Sequence, residues 1–448
     1  MTSIDVNNME QQVLTEDIPT NEFSRKLVDS MNKQVRLVDS DNGLDLFCYI
    51  KCDSTDSDVL KKCRGVVFNG DKVVMNGFPY TYEYTEDDAN IEPIFDQCSF
   101  YDSYEGSLIR MFYFDDRWYT STNRKLDANK SKWSSIESFG HYFKVALEFE
   151  VENNEKLRSS ISGDDSKDIV ERFQSTLNTN HQYMFLLLNN EQNRIVCDSP
   201  KSPTVFHVGT FIDGTLSMEE NINIPYPRQH HFEKISELYD YINSIDIHTK
   251  QGVILFAPNN VQYKIYNREY YDLYKVRGNE PSIKFRYLQV RMDKRYNNLL
   301  HYLYPTSSNL FDEYENSIYA IGKKIYQAYF DRFIKNEYIT VPTEEFAVIR
   351  VCHAWHQEDR VNNKISLNKV MEILNMQTPT QINRMIRKLY LDKQSEEEGE
   401  NKVRRHKPNQ DGEKRHKYKP LLNRNKQRSE SVGVESPVVE THDLESQV

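Results

Sequence analysis

Residues 101–110 read YDSYEGSLIR, and the chain runs on as MFYFDDRWYTSTNRK to Lys125. Two aromatic and β-branched runs flank Asp115 and Asp116, a pair that suits the left-handed conformation of a tight turn. The stretch therefore predicts a β-hairpin. Just ahead of it, Glu105-Gly106-Ser107 separates the hairpin from a shorter strand-like run that ends near Ser103.

The same pattern recurs outward from this point. CRGVVFNGDKVVMNGFPY (63–80), QYMFLLLNNEQNRIV (182–196), TVFHVGTFIDGT (204–215) and QGVILFAPNNVQYKIYN (251–267) are short apolar runs broken by Asn-Gly, Asp-Gly and Asn-Asn turn signals. ESFGHYFKVALEFEVENNEKL (137–157) and SKDIVERFQSTLN (166–178) instead carry helical apolar spacing. Strands and helices in irregular order predict an α+β domain with antiparallel sheets over 23–290. From 291 to 394 the 3.6-residue period dominates, as in NLFDEYENSIYAIGKKIYQAYFDRFIKNEY (309–338), and predicts an all-helical domain. Residues 1–22 and 395–448 have few core-forming side chains and read as disordered termini.

Composition limits the function classes. The chain has 448 residues and a net charge of -11, with a mean hydropathy of -0.74. No run approaches the ~18 apolar residues of a membrane span, and the N-terminus has no signal-like pattern, so an intracellular setting is expected, whether cytoplasm, nucleus or virion. Six cysteines scattered over the chain are too sparse for a disulfide framework and read as reduced thiols. Cys48 with Cys52, and Cys352 with His353 and His356, lack a second ligand pair at finger-like spacing, so no metal site is assigned. Residues 402–428 hold 11 basic and 2 acidic side chains, which leaves an acidic body. Contact with nucleic acid should then be local, and the basic tail could dock a protein partner. Ser366, Thr378 and Pro379 mark two short, closely joined helices whose commoner role is packing rather than DNA reading.

Five strings in order carry a family resemblance. CRGVVFN (63–69), YEGSL (104–108), YMFLLLNNEQNRIV (183–196), QGVILF (251–256) and YKIYN (263–267) resemble the successive motifs of the nucleotidyltransferase domain of ATP-dependent RNA ligases. The branch typified by the phage T4 tRNA-repair ligase is the nearer likeness, and lysine-free proteins of large DNA viruses are similar more loosely. The resemblance covers roughly 22–291, with the helical remainder in the place of that branch's helical C-terminal domain. It implies ATP as cofactor, a nucleophilic lysine, Mg²⁺ held by carboxylates, and RNA or nucleotide partners.

Where the family places charged groups, this chain departs. Ser103 stands at the nucleophile position. A hydroxyl cannot replace a lysine amine of lowered pKa in forming a phosphoramidate. Leu186 and Gln251 stand where metal and ribose carboxylates are expected, so Mg²⁺ should be held weakly at best. Lys264 is retained in the fifth motif, but Tyr266 replaces its companion, and TYEY at 81–84 lacks a further lysine. Glu105 and Gly106 keep the turn. If the resemblance holds, Arg64, Arg110, Arg124, Lys125 and Lys264 converge with them on the phosphate region. Arg110 read from its strand alone could equally face solvent. The resulting expectation is a ligase-like pseudoenzyme that binds nucleotide or RNA or serves as a scaffold. One alternative is an active ligase with Lys125 or Lys132 as displaced nucleophile; the other is an assembly component that docks through its tail.

Overall fold

A computed structural model describes residues 23–161 and 166–405. The expected disordered N-terminus and most of the tail, with most of its basic block, lie outside the described residues. The described residues divide into two compact units that part between Ile283 and Lys284.

The strands of the first unit are β1 Val35–Asp41, β2 Leu44–Tyr49, β3 Arg64–Asn69, β4 Lys72–Met75, β5 Thr81–Thr85, β6 Ser99–Ser103, β7 Gly106–Phe114, β8 Arg117–Ser121, β9 Gln182–Leu188, β10 Val205–Ile212, β11 Thr215–Ser217, β12 Gln229–His230, β13 Gly252–Phe256 and β14 Gln262–Tyr266. They form three sheets, ordered β1-β2-β3-β4, β11-β10-β9-β7-β8 and β12-β6-β13-β14-β5. The β7–β8 and β10–β11 hairpins turn at the Asp-Asp and Asp-Gly pairs of the sequence, and a further hairpin joins β1 to β2. Asp115 and Asp116 both adopt positive φ between β7 and β8, as do Asn42-Gly43 and Asp213-Gly214 in their own turns. The third sheet is mixed rather than purely antiparallel, because β14 and β5 run parallel.

Alternation along the strands distributes side chains between cores. From β7 and β9, Ile109, Met111, Tyr183, Phe185 and Leu187 face a core shared with Phe143, Leu147 and Phe173. Phe112 and Met184 face a second core with Leu46, Val67 and Phe211, against which Leu108 and Leu186 pack. The third sheet buries Phe100, Val253, Leu255 and Ile265 against Leu238 and Ile242. The helices are α1 Arg25–Ser30, α2 Asp58–Lys62, α3 Phe139–Asn153, α4 Glu155–Ser160, α5 Ile169–Gln174, α6 Ile235–Ser244 and α7 Arg268–Arg277. The two segments with helical spacing became α3 with α4, and α5. Ile195 and Val196, expected to extend a strand, lie beyond the end of β9 in irregular backbone.

In the second unit the helices are α8 Ile283–Val290, α9 Lys294–Leu303, α10 Ser308–Phe333, α11 Thr343–Glu358, α12 Leu367–Asn375 and α13 Pro379–Arg405, the first beginning one residue before the boundary. Helix α10 packs against α11, α12 and α13, burying Phe311, Tyr314, Ile318, Ile321 and Ile325 at helical spacing. α13 continues past 395 to Arg405. Arg384 pairs with Glu344 and Lys388 with Asp392, so two of the basic side chains of the α12–α13 pair are already matched by acids. No helix among the described residues is long and apolar enough to cross a membrane.

Candidate functional site

The decisive local event is a change of sheet. The chain leaves the third sheet at Ser103, the end of β6, and enters the second at Gly106, the start of β7. Tyr104 and Glu105 make the crossing. Gly106 is required there, since a Cβ would sit 2.7 Å from the Leu187 carbonyl oxygen and 2.7 Å from Leu186 Cδ1.

Glu105 is buried at the crossing and braces it. Its Oε1 accepts from the amides of Val196 at 2.7 Å and Cys197 at 2.9 Å and from the Tyr270 hydroxyl at 2.9 Å. Oε2 accepts from the Ile195 amide at 3.1 Å. Burial pushes the Glu105 carboxyl above its ordinary range, and these four donors pull the other way. The irregular backbone at 195–197 thus has a purpose: it turns three consecutive N–H groups toward one carboxylate. Tyr270 also accepts from Gln251 Nε2 at 2.7 Å, and Gln251 Oε1 accepts from Ser103 Oγ at 3.1 Å. Ser103, Gln251, Tyr270 and Glu105 therefore form one buried network.

A cavity of about 180 Å³ opens beside this network, lined by residues of all three sheets. Leu108, Leu186, Phe78, Phe256, Ile254 and Tyr101 supply apolar wall, and Arg64, Thr81, Ser103, Asn123, Gln262 and Lys264 supply the polar groups. Lys264 is the one lysine lining it and is 7% exposed. Among the described residues it forms no ion pair, and its ammonium lies 5.4 Å from the Tyr266 ring centre. Burial lowers its pKa from the ordinary value, with Glu83 and Glu105 resisting and Arg64 assisting. Arg64 donates to Thr81 Oγ1 at 3.0 Å and to the Pro79 carbonyl. Thr81 in turn donates to Gln262 Oε1 at 3.2 Å.

The remaining implied phosphate ligands take different positions. Arg110 is fully buried, on the Leu108 and Phe112 face of β7, and donates to the carbonyls of Gly65 and Thr122. It does not face solvent, and its guanidinium ties β3 to the segment after β8. Burial lowers its pKa to about 10. Arg64, Arg110 and Arg124 all lie near enough to the buried Cys48 thiol to favour its anion, although burial dominates and raises its pKa. Lys125 instead reaches Asp39 at 3.6 Å, and Lys132 donates to the Ile136 carbonyl; neither lines the cavity.

Magnesium, implied by the family resemblance, does not fit these residues. Leu186 offers a hydrocarbon where a carboxylate is expected, and Gln251 is committed to Ser103 and Tyr270. Asp102 is the one acidic residue lining the cavity. Its carboxylate accepts from Lys250 at 2.7 Å, His230 at 2.9 Å and Tyr241 at 2.5 Å. Those contacts hold its pKa below the usual carboxylate value despite burial. Among the described residues no group of three or more His, Cys, Asp or Glu side chains could hold a metal ion.

Sequence reasoning had not singled out Thr81, Gln262, Asn123 or Asp102. For Gln262 a signal existed, since it precedes Lys264 by two positions on a strand and shares its face. Thr81 enters only through the parallel pairing Gln262↔Thr81, which no local pattern announces.

The chain matches no family model. It is 28% identical over 354 residues to an immediate-early protein ICP-46 homolog of Invertebrate iridescent virus 3, covering 74% of each chain. A second homolog of that name, from Invertebrate iridescent virus 6, is 27% identical over 373 residues, or 77% of this chain and 80% of the relative. Immediate-early protein ICP-46 of Frog virus 3 (isolate Goorha) is 27% identical over 263 residues, or 57% and 64%. Among solved structures, a putative ATP-dependent DNA ligase from Aquifex aeolicus aligns over 64% of this chain and 75% of its own, with a TM-score of 0.38 and 13% identity. An archaeal ATP-dependent RNA ligase aligns over 62% and 69%, with a TM-score of 0.38 and 11% identity.

Proposed function

We propose that the first unit is a ligase-like nucleotidyltransferase domain that binds a nucleotide or an RNA end without adenylylating itself. The observation that carries this reading is the state of Ser103. Ser103 is 4% exposed and its hydroxyl is hydrogen-bonded to Gln251, so the nucleophile position holds a neutral, internally satisfied group. A catalytic amine there would have to be deprotonated and free to attack phosphorus. Gln251 and Leu186 meanwhile leave no anion to recruit a divalent metal to the phosphates. Lys264 and Arg64 remain on the cavity wall as cations that suit a phosphate.

The viral relatives are named immediate-early proteins, and we assign this chain a corresponding setting: a viral product acting on nucleotides or RNA inside a cell. A tail-docking scaffold is the contrasting reading.

Incubation of the full chain with α-labelled ATP and Mg²⁺ or Mn²⁺ tests the first point. No acid-labile, alkali-stable labelled band is expected, and its appearance would restore an active ligase. Binding is tested by thermal melting with millimolar ATP or single-stranded RNA at low salt. A shift by either ligand supports a binding domain, because a ligand that prefers the native state raises Tm. No shift with both would leave the fold as a scaffold.

A further inference from the structure

We propose that the cavity accepts a phosphate monoester without a metal and disfavours a triphosphate. This inference rests on the nucleotide-binding reading and goes beyond it by naming the phosphate state.

Its basis is the inventory of charge facing the cavity. Two lining side chains are cationic, Arg64 and Lys264, and the single acidic one, Asp102, is ion-paired with Lys250. Asp102 precedes Ser103 on β6, so its side chain falls on the opposite face of the strand from the Ser103 hydroxyl. Lys264 has no ion-pair partner among the described residues, and burial has removed most of its water. An anion brought to it therefore displaces no existing salt bridge.

Hydrogen-bond direction adds to the charge. Arg64 donates to Thr81 and Thr81 donates to Gln262 Oε1, which leaves Gln262 Nε2 buried without a partner on the same wall. Gln262 Nε2 is thus an unused donor on the wall that carries Arg64 and Lys264, while the unused acceptors of the lining are the Asn123 and Asn279 amide oxygens.

A phosphate monoester carries about -1.5 to -2 charges at neutral pH, close to what two cations neutralise. A triphosphate brings roughly twice that charge, and the excess is normally met by a divalent metal. Here Leu186 fills the corresponding wall with hydrocarbon.

The test is calorimetric titration of the full chain with adenosine, AMP and ATP, each in EDTA and in excess Mg²⁺. AMP should bind at least ~10-fold more tightly than adenosine and than ATP in EDTA, with its Kd unchanged by Mg²⁺. Lys264→Met should weaken AMP at least ~10-fold and bring it close to adenosine. Equal affinity for adenosine and AMP, or a strict need for Mg²⁺, would overturn the inference. Tight binding of Mg²⁺-ATP with none of AMP would overturn it while leaving the nucleotide-binding reading intact. Absence of all nucleotide binding would remove both.

Discussion

Replacing Glu105 separates a structural brace from a group that merely flanks a reaction site. Its two oxygens carry unequal loads: Oε1 accepts from Val196, Cys197 and Tyr270, and Oε2 accepts only from Ile195. Glu105→Ala strands all four donors in a site that is 4% exposed. At roughly 1–3 kcal/mol for each buried unsatisfied group, the loss is about 4–12 kcal/mol, comparable to the whole stability of a typical domain. Glu105→Gln can keep its carbonyl in the Oε1 position and strand only the Ile195 amide, for about 1–3 kcal/mol. Urea unfolding at neutral pH, read with hydrogen exchange at the 195–197 amides, measures both variants. The Ala protein should be largely unfolded or unprotected there, and the Gln protein folded with a modest loss. Equal costs for the two variants, or an Ala cost below about 1 kcal/mol, would refute the brace.

Further outcomes follow from other buried groups. His207 is fully buried, and burial lowers its pKa from 6.5 to about 4. Its neutral form is therefore favoured in the folded state, with stability complete above pH 6.5 and lost as pH falls through about 4. At ~1.4 kcal/mol per pH unit the loss approaches about 3 kcal/mol, and His207→Gln should flatten that slope in urea titrations. Asp102 has a lowered folded pKa, so its contribution is present above the ordinary carboxylate value and fades as pH falls through the lowered one. Asp102→Asn should cost about 1–3 kcal/mol at pH 7 and progressively less as the pH falls below the ordinary carboxylate value; a cost independent of pH would exclude the ion pair as its cause. At Gly252 an added Cβ would lie 2.0 Å from the Ile265 carbonyl oxygen. Gly252→Ala should therefore cost at least about 1–3 kcal/mol in the same assay, and a neutral result would contradict the close strand approach.

How far the sequence disclosed this molecule depended on whether the cause was local. The alternation in β7 and β9 and the Asp115-Asp116 turn depend on neighbours a few residues away, and periodicity exposes them. The antiparallel hairpins and the helical second unit followed. The parallel pairing of β14 with β5 joins residues more than 170 positions apart, and nothing in either strand encodes it. Arg110 shows a subtler limit. An arginine in a strand ordinarily marks a wet face, but SLIRMFYF is apolar on both sides of it, and that two-faced run was the available hint of burial. Ile195 and Val196 misled in the opposite direction: their side chains suit a strand, whereas their amides serve Glu105. Ser103, Leu186 and Gln251 could be singled out in the sequence, but the hydrogen bonds that join Ser103 to Gln251 and on to Glu105 depend on residues far apart in the chain.

The neutral linkage around Ser103 also resists the introduction of charge. Installing an ammonium at position 103 would set a charge against Gln251, already engaged with Tyr270, and beside the hydrocarbon of Leu186. Giving Gln251 a carboxylate would remove the hydrogen bond it donates to Tyr270, and the buried anion would have Lys264 and Arg64 on the cavity wall to offset it only in part. A charge at position 103 or 251 therefore weakens this network, so the side chains that now stabilise one another preserve its neutrality.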